Sequence, residues 1–88
     1  MKLSVIIPCY NEKNTVLSVI KKIYSLKIET EIIVVDDNSS DGSLQIISSN
    51  KSFVNHLVCH SKNTGKGAAI KSAQNLVSGD YVVIQDAD

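Results

Sequence analysis

Aromatic residues are scarce in this sequence: its 88 residues include no tryptophan, one phenylalanine and three tyrosines. Proteins that bind single-stranded nucleic acid stack the bases on aromatic rings, and this composition offers few such rings. Nine basic and nine acidic residues cancel, so no overall field attracts nucleic acid or an anionic membrane surface. We therefore expect no nucleic-acid partner.

Long apolar runs are also absent. No run approaches the ~18 residues of a membrane-spanning helix, and the apolar start of the chain is shorter than the ~7–15 residues of a signal-peptide core. Cys9 and Cys59 match no metal-ligand spacing and are expected to be buried and reduced. His56 and His60 have no third ligand nearby, which favours structural or surface positions. These features predict a cytoplasmic protein, or one held at the cytoplasmic face of a membrane through further segments.

Short apolar runs alternate with segments of helical periodicity. The predicted strands span residues 3–7, 31–35, 54–60 and 80–88, and the predicted helices span 15–25, 43–49 and 68–77. Pro8 should end the first strand because it cannot donate to a ladder, and Asn11 or Asn14 should cap the first helix. The third strand should lie nearer an edge, and the fourth has the composition of a fully buried strand.

The element order βαβαβαβ predicts an α/β fold. We expect a Rossmann-like parallel sheet with helices on both faces. A parallel sheet is normally covered on both sides, yet no helix follows the fourth strand. Residues 1–88 are therefore expected to be the N-terminal part of a longer protein, truncated after that strand. The apolar face left uncovered could also support a homo-oligomer.

Polar residues follow each predicted strand. They are Tyr10 and Glu12 after the first strand, Asp36 and Asp37 after the second, Lys66 after the third, and Asp86 and Asp88 on the fourth. In open parallel sheets, ligands bind outside the carboxyl ends of the strands. The sequence therefore predicts a binding site at this edge of the sheet.

Asp86 and Asp88 are separated by one alanine. In an extended chain, side chains two residues apart project to the same face, so the two carboxylates can converge. Mg²⁺ and Mn²⁺ take carboxylate oxygens and commonly keep phosphates and waters as their other ligands. The alternative is that Asp86 caps the next element and Asp88 is a frayed end.

Four segments together carry a family resemblance. They are residues 8–12 (PCYNE), 35–42 (VDDNSSDG), 63–67 (NTGKG) and 86–88 (DAD). In this order they resemble the nucleotide-sugar-binding half of family 2 glycosyltransferases with the GT-A fold. Within that family, the sequence is most similar to the polyprenol-phosphate sugar synthases of the dolichol-phosphate mannose type.

This resemblance implies roles for individual residues. Pro8, Tyr10 and Glu12 would hold the nucleoside, Val35 and Asp37 would meet the base, and Asp86 and Asp88 would bind Mg²⁺ or Mn²⁺, with Asp86 also at the donor diphosphate. The implied reaction transfers a sugar, with inversion, from a nucleotide-diphospho-sugar to a polyprenyl phosphate or, alternatively, to a polysaccharide or glycolipid. The general base would lie beyond Asp88, so that residues 1–88 bind the donor without turnover.

Several alternatives remain open at this point. Lys66 either contacts the diphosphate at a helix start or is a solvated side chain after a glycine turn. Asp37 could accept hydrogen bonds from uracil or from guanine. A signalling receiver domain would carry its acidic pair at the end of strand one, and a sugar-phosphate nucleotidyltransferase would carry a glycine-rich basic loop there, so both fit poorly. A non-catalytic nucleotide-binding module remains the alternative of another class.

Overall fold

The computed structural model describes residues 1–88, which form one four-stranded parallel sheet flanked by three α-helices. The strands are β1 (Lys2–Cys9), β2 (Glu29–Asp36), β3 (His56–Cys59) and β4 (Tyr81–Ile84). The helices are α1 (Val16–Tyr24), α2 (Ser43–Ser48) and α3 (Lys66–Gln74), and a short 3₁₀ turn spans Lys51–Phe53. The strand order across the sheet is β3-β2-β1-β4, which confirms the predicted α/β architecture.

Alternating side chains of β1 and β2 build one core on each face of the sheet. Val5 and Ile7 point into the cluster that contains Ile20 of α1 and Ile47 of α2. The intervening Ile6 joins a second cluster beneath α3. This alternation explains why β1 and β2 are apolar at successive positions: each is covered on both faces. None of the helices is long and apolar enough to cross a membrane.

Pro8 does not end β1, contrary to the prediction. Along a parallel strand, successive residues direct their N–H and C=O groups to alternate sides. The Cys9 carbonyl accepts from Asp37 N (2.9 Å) on the β2 side, whereas the Ile6 carbonyl accepts from Gln85 N (2.9 Å) on the β4 side. Pro8 therefore faces the β4 side, where the pairing of β1 with β4 ends at Ile6. The missing N–H costs no ladder bond.

Three further predictions are corrected. The fourth strand is not buried, since Tyr81 is 61% and Val83 43% exposed: β4 lies at an edge of the sheet, beside β1 alone. Cys59 is exposed because it ends β3 at the opposite edge. The N-cap of α1 is Thr15 rather than an asparagine. The edge position of β3 itself is confirmed.

A buried polar cluster fixes the turn that leads into β4. Glu31 is 5% exposed; its Oε1 accepts from Ser4 Oγ (2.8 Å) and Ser78 N (2.9 Å), and its Oε2 accepts from Ser78 Oγ (2.8 Å). Burial raises the pKa of Glu31, but these hydrogen bonds and Lys2 outweigh it and lower the pKa to about 2. The next residue, Gly79, donates to Ser4 Oγ (2.8 Å), and a Cβ there would lie 2.6 Å from that oxygen.

Candidate functional site

A cleft opens at the carboxyl ends of β1 and β4. The chain builds the sheet outward from β1 to β2 and β3, and then returns through α3 to place β4 on the other side of β1. Such reversals of strand order create the crevice in which α/β proteins bind ligands. The cleft measures about 170 Å³, and its lining residues are Pro8, Cys9, Tyr10, Glu12, Asp37, Lys66, Ala69, Asp86, Ala87 and Asp88.

Seven of the eight site residues named from the sequence line this cleft. They are Pro8, Tyr10, Glu12, Asp37, Lys66, Asp86 and Asp88. The eighth, Val35, is fully buried in the core beneath α3, together with Ile6 and Ala69. Its side chain supports the floor of the site and does not reach the cleft.

The two loops that carry Glu12 and Asp37 are joined to each other. Four hydrogen bonds link the loop after β1 to the loop after β2, and each involves a backbone N–H. They run from Asn11 N to Ser39 Oγ (2.9 Å), Glu12 N to Ser43 Oγ (3.0 Å), Lys13 N to Asp41 Oδ2 (3.1 Å) and Ser40 N to Asn11 Oδ1 (2.8 Å). These short polar residues thus hold the rim of the cleft in one shape.

Asp37 is almost completely enclosed, with 4% of its surface exposed. Its Oδ1 accepts from His60 Nδ1 (2.8 Å), Thr64 N (2.9 Å) and Thr64 Oγ1 (2.8 Å), and its Oδ2 accepts from Gly65 N (2.7 Å). Burial raises the pKa of this carboxyl, but the hydrogen bonds from His60, Thr64 and Gly65 outweigh it and hold the pKa well below its usual range. Asp37 is therefore a fixed anion at neutral pH.

His60 and Thr64 hold Asp37 in place, although no binding role was expected for them from the sequence. Thr64 Oγ1 and His60 Nδ1 each lie 2.8 Å from Asp37 Oδ1 and 2.8 Å from each other. Because a carboxylate only accepts, at least one of the two donates to Asp37. The other ring nitrogen of His60, Nε2, is hydrogen-bonded to Ser72 Oγ of α3 (2.8 Å). Thr64 and Gly65 lie in the 63–67 segment, where Gly65 has a φ of +94°. The Asn-Thr-Gly run indicates a turn before α3, but it does not show that the turn binds Asp37.

Lys66 and Asp86 form an ion pair across the cleft. The distance from Lys66 Nζ to Asp86 Oδ1 is 2.6 Å, and both side chains are more than half exposed. Exposed pairs of this kind contribute little to stability, so the pair is best understood as part of the site. The lysine, at the first turn of α3, brings a positive charge into the cleft.

Ala87 holds the two aspartates in position. Its side chain is 2% exposed and packs in the core that contains α1, while its carbonyl accepts from Thr15 Oγ1 (2.8 Å). Because neighbouring side chains of an extended segment alternate in direction, Asp86 and Asp88 are left facing the cleft. β4 ends at Ile84, so this pair stands just beyond the strand. Thr15 was not identified from the sequence, because its partner lies 72 residues away.

Cys9 is not a nucleophile in this geometry. It is 1% exposed, and burial, followed by the negative charge of Asp36, raises the pKa of its thiol to about 11. A nucleophilic cysteine instead needs a lowered pKa. The burial of Cys9 expected from the sequence is confirmed.

The chain matches the family model described as Glycosyl transferase family 2 over residues 4–88. The chain belongs to this family. It is 36% identical, over 94 aligned positions, to the undecaprenyl-phosphate 4-deoxy-4-formamido-L-arabinose transferase of Photorhabdus laumondii, and 36% identical to the protein of that name from Proteus mirabilis. Each match covers 99% of this chain and 29% of the relative.

Solved glycosyltransferase structures share the fold of this family 2 chain. S. aureus TarS 1–349 in complex with UDP-GlcNAc has a TM-score of 0.89 and 30% identity, covering 100% of this chain and 27% of that one. The mannosyltransferase PcManGT from Pyrobaculum calidifontis, in complex with GDP-Man and Mn²⁺, has a TM-score of 0.84 and 30% identity, covering 98% and 27%. The predicted family and GT-A-like fold are thus confirmed.

Proposed function

We propose that this chain is the donor-binding part of a metal-dependent glycosyltransferase. It would bind a nucleotide-diphospho-sugar with the diphosphate at Asp86, Asp88 and Lys66 and the nucleoside against Pro8 and Tyr10. The observation that carries this proposal is the position of the acidic pair: it stands in the cleft where the strand order reverses. Glu12 lies on the same rim and would accept hydrogen bonds from ribose hydroxyls.

The residues present fit Mg²⁺ or Mn²⁺. No group of three or more His, Cys, Asp or Glu side chains is placed to hold a metal ion by itself. Two carboxylates on one wall of a cleft are the usual protein share of such a site, because these ions complete their shell with substrate phosphates and water. Asp86 and Asp88 would hold the ion, which when bound neutralises charge on the departing nucleoside diphosphate. Lys66, whose Nζ lies 2.6 Å from Asp86 Oδ1, would add to this neutralisation.

For the acceptor we propose a polyprenyl phosphate. The support comes from the names of the relatives, which act on undecaprenyl phosphate. This chain spans 29% of their length. We therefore propose that residues 1–88 bind the donor, and that the acceptor site, the base and an inverting displacement belong to a longer protein working at a membrane surface.

Calorimetric titration with UDP and GDP tests the proposal. We expect one nucleotide to bind in the presence of Mn²⁺, and Asp88→Ala to weaken that binding by at least about tenfold, which corresponds to about 1.4 kcal/mol. Glu29→Gln is the matched control, because it removes a carboxylate from the exposed start of β2, at the opposite end of the sheet. Binding that ignores both Mn²⁺ and Asp88→Ala, in a variant shown to be folded by circular dichroism, would contradict the proposal.

A further inference from the structure

The carboxylate of Asp37 is already occupied by groups of the protein. Three donor atoms lie within 2.9 Å of Oδ1, namely His60 Nδ1, Thr64 N and Thr64 Oγ1, and Gly65 N lies 2.7 Å from Oδ2. An ionised carboxylate offers about four lone-pair positions in all, two on each oxygen. Oδ1 is therefore saturated, and one acceptor position remains, on Oδ2.

These donors cannot easily move aside. The His60 ring is fixed at both nitrogens, by Asp37 on one side and by Ser72 of α3 on the other. Two of the four donors are backbone N–H groups of the loop that starts α3. Releasing any of them would take a hydrogen bond from the carboxylate of Asp37, which is 4% exposed, and a buried charge is costly to leave short of partners. Asp37 therefore offers a ligand one acceptor position, on Oδ2, and cannot accept with both oxygens at once.

Guanine and uracil differ in the number of hydrogen bonds that they can donate to Asp37. Guanine presents a ring N–H and an amino N–H side by side, a pair that a carboxylate satisfies with both of its oxygens at once. Uracil presents a single imide N–H between two carbonyl oxygens. A site that leaves a donor of the ligand unpaired discriminates strongly against that ligand. One free acceptor position on Oδ2 therefore matches uracil.

We propose that the donor of this protein is a UDP-sugar, and that His60, Thr64 and Gly65 set this choice by saturating Oδ1 of Asp37. The inference rests on the proposed donor site. It goes further by assigning the base and by giving specificity roles to three residues that line no part of the cleft themselves. These residues act through Asp37, so they are positioning residues rather than contacts of the substrate.

Competition between UDP and GDP, each measured with Mn²⁺, tests the inference. We expect the chain to prefer UDP by about tenfold or more. Thr64→Val combined with His60→Phe removes two of the three donors from Oδ1 and keeps the backbone N–H of residue 64, so that one acceptor position on Oδ1 becomes free. The double variant should narrow the ratio of UDP to GDP affinity, whereas Thr64→Ser keeps the hydroxyl and should retain the ratio. A change in ratio, unlike a loss of both affinities, is not produced by simple destabilisation.

Each outcome has a distinct meaning. GDP binding as tight as UDP binding, both metal-dependent, would overturn the inference and leave the proposed donor site standing. An unchanged preference for UDP in a folded variant that carries both Thr64→Val and His60→Phe would overturn the assignment of selection to the saturated Asp37. Binding of neither nucleotide to the folded chain would overturn the proposed donor site, and the inference with it.

Discussion

Glu31→Gln is the substitution whose consequences the structure defines most closely. The carboxylate lies between β1 and the turn before β4, where it accepts hydrogen bonds from Ser4 and Ser78 and lies 3.8 Å from Lys2 Nζ. The amide of glutamine keeps one acceptor oxygen. Its NH₂ group cannot accept from the second hydroxyl and offers no charge to the lysine. We expect β4 to be held less tightly and the free energy of unfolding to fall.

The lowered pKa of Glu31 gives the size of the expected loss in unfolding free energy. A shift from 4.5 to about 2, at 1.36 kcal/mol per unit, corresponds to about 3 kcal/mol of stability at neutral pH. Because the folded-state pKa of Glu31 is lowered, this contribution is complete above pH 4.5 and is lost as the pH falls toward 2. The difference between the wild type and Glu31→Gln should therefore decrease below about pH 5 and shrink to roughly half of its value at neutral pH near pH 3.

Urea unfolding followed by circular dichroism at pH 7, 5, 4 and 3 measures this difference. Comparing the variant with the wild type at each pH cancels the titration of other carboxylates, including that of Asp37. Glu29→Gln is the control, since this exposed glutamate lies two positions earlier on β2 and should change stability by less than about 0.5 kcal/mol. Equal stabilities of wild type and Glu31→Gln at pH 7, or a difference that stays constant to pH 3, would refute the reasoning.

Two further predictions follow from burial and close approach. Gly79→Ala should lower the free energy of unfolding by about 1–3 kcal/mol in the same urea assay, because its Cβ would lie 2.8 Å from the β1 backbone. Gly67→Ala is the control and should leave the free energy of unfolding unchanged, because a Cβ there has nothing within 4 Å. Equal effects of the two substitutions would contradict this prediction. In thiol labelling at pH 8, the exposed Cys59 should react while the buried Cys9 reacts only after unfolding; equal rates for the two would show that the β1 core opens.

The sequence predicts the parts of this protein that depend on local pattern. Alternating apolar runs and their order establish the parallel sheet, and the spacing of Asp86 and Asp88 places both in the cleft. The contacts it does not predict join distant residues: Thr15 reaches Ala87, and Glu31 reaches Ser78, across 72 and 47 positions. No local pattern encodes such a pairing.

Other errors have the same physical origin. Whether Pro8 interrupts β1 depends on which side its missing N–H would face. It also depends on how far the neighbouring strand on that side extends. The apolar composition of β4 predicts burial, but burial depends on what lies beside the strand. The sequence does not predict that four donors of His60, Thr64 and Gly65 surround Asp37, because no local pattern joins these two segments.

The pairing of β1 with β4 has a consequence for how the protein is made. It joins Leu3 to Tyr81, so β1 must wait for β4, which is synthesised after the other three strands. Closing so long a loop is slow because the entropy is lost before the contacts form. Until then β1 presents an unpaired, apolar edge of the kind that promotes aggregation. We expect the cleft to form only in this late step, so that folding and the proposed ability to bind a nucleotide are acquired together.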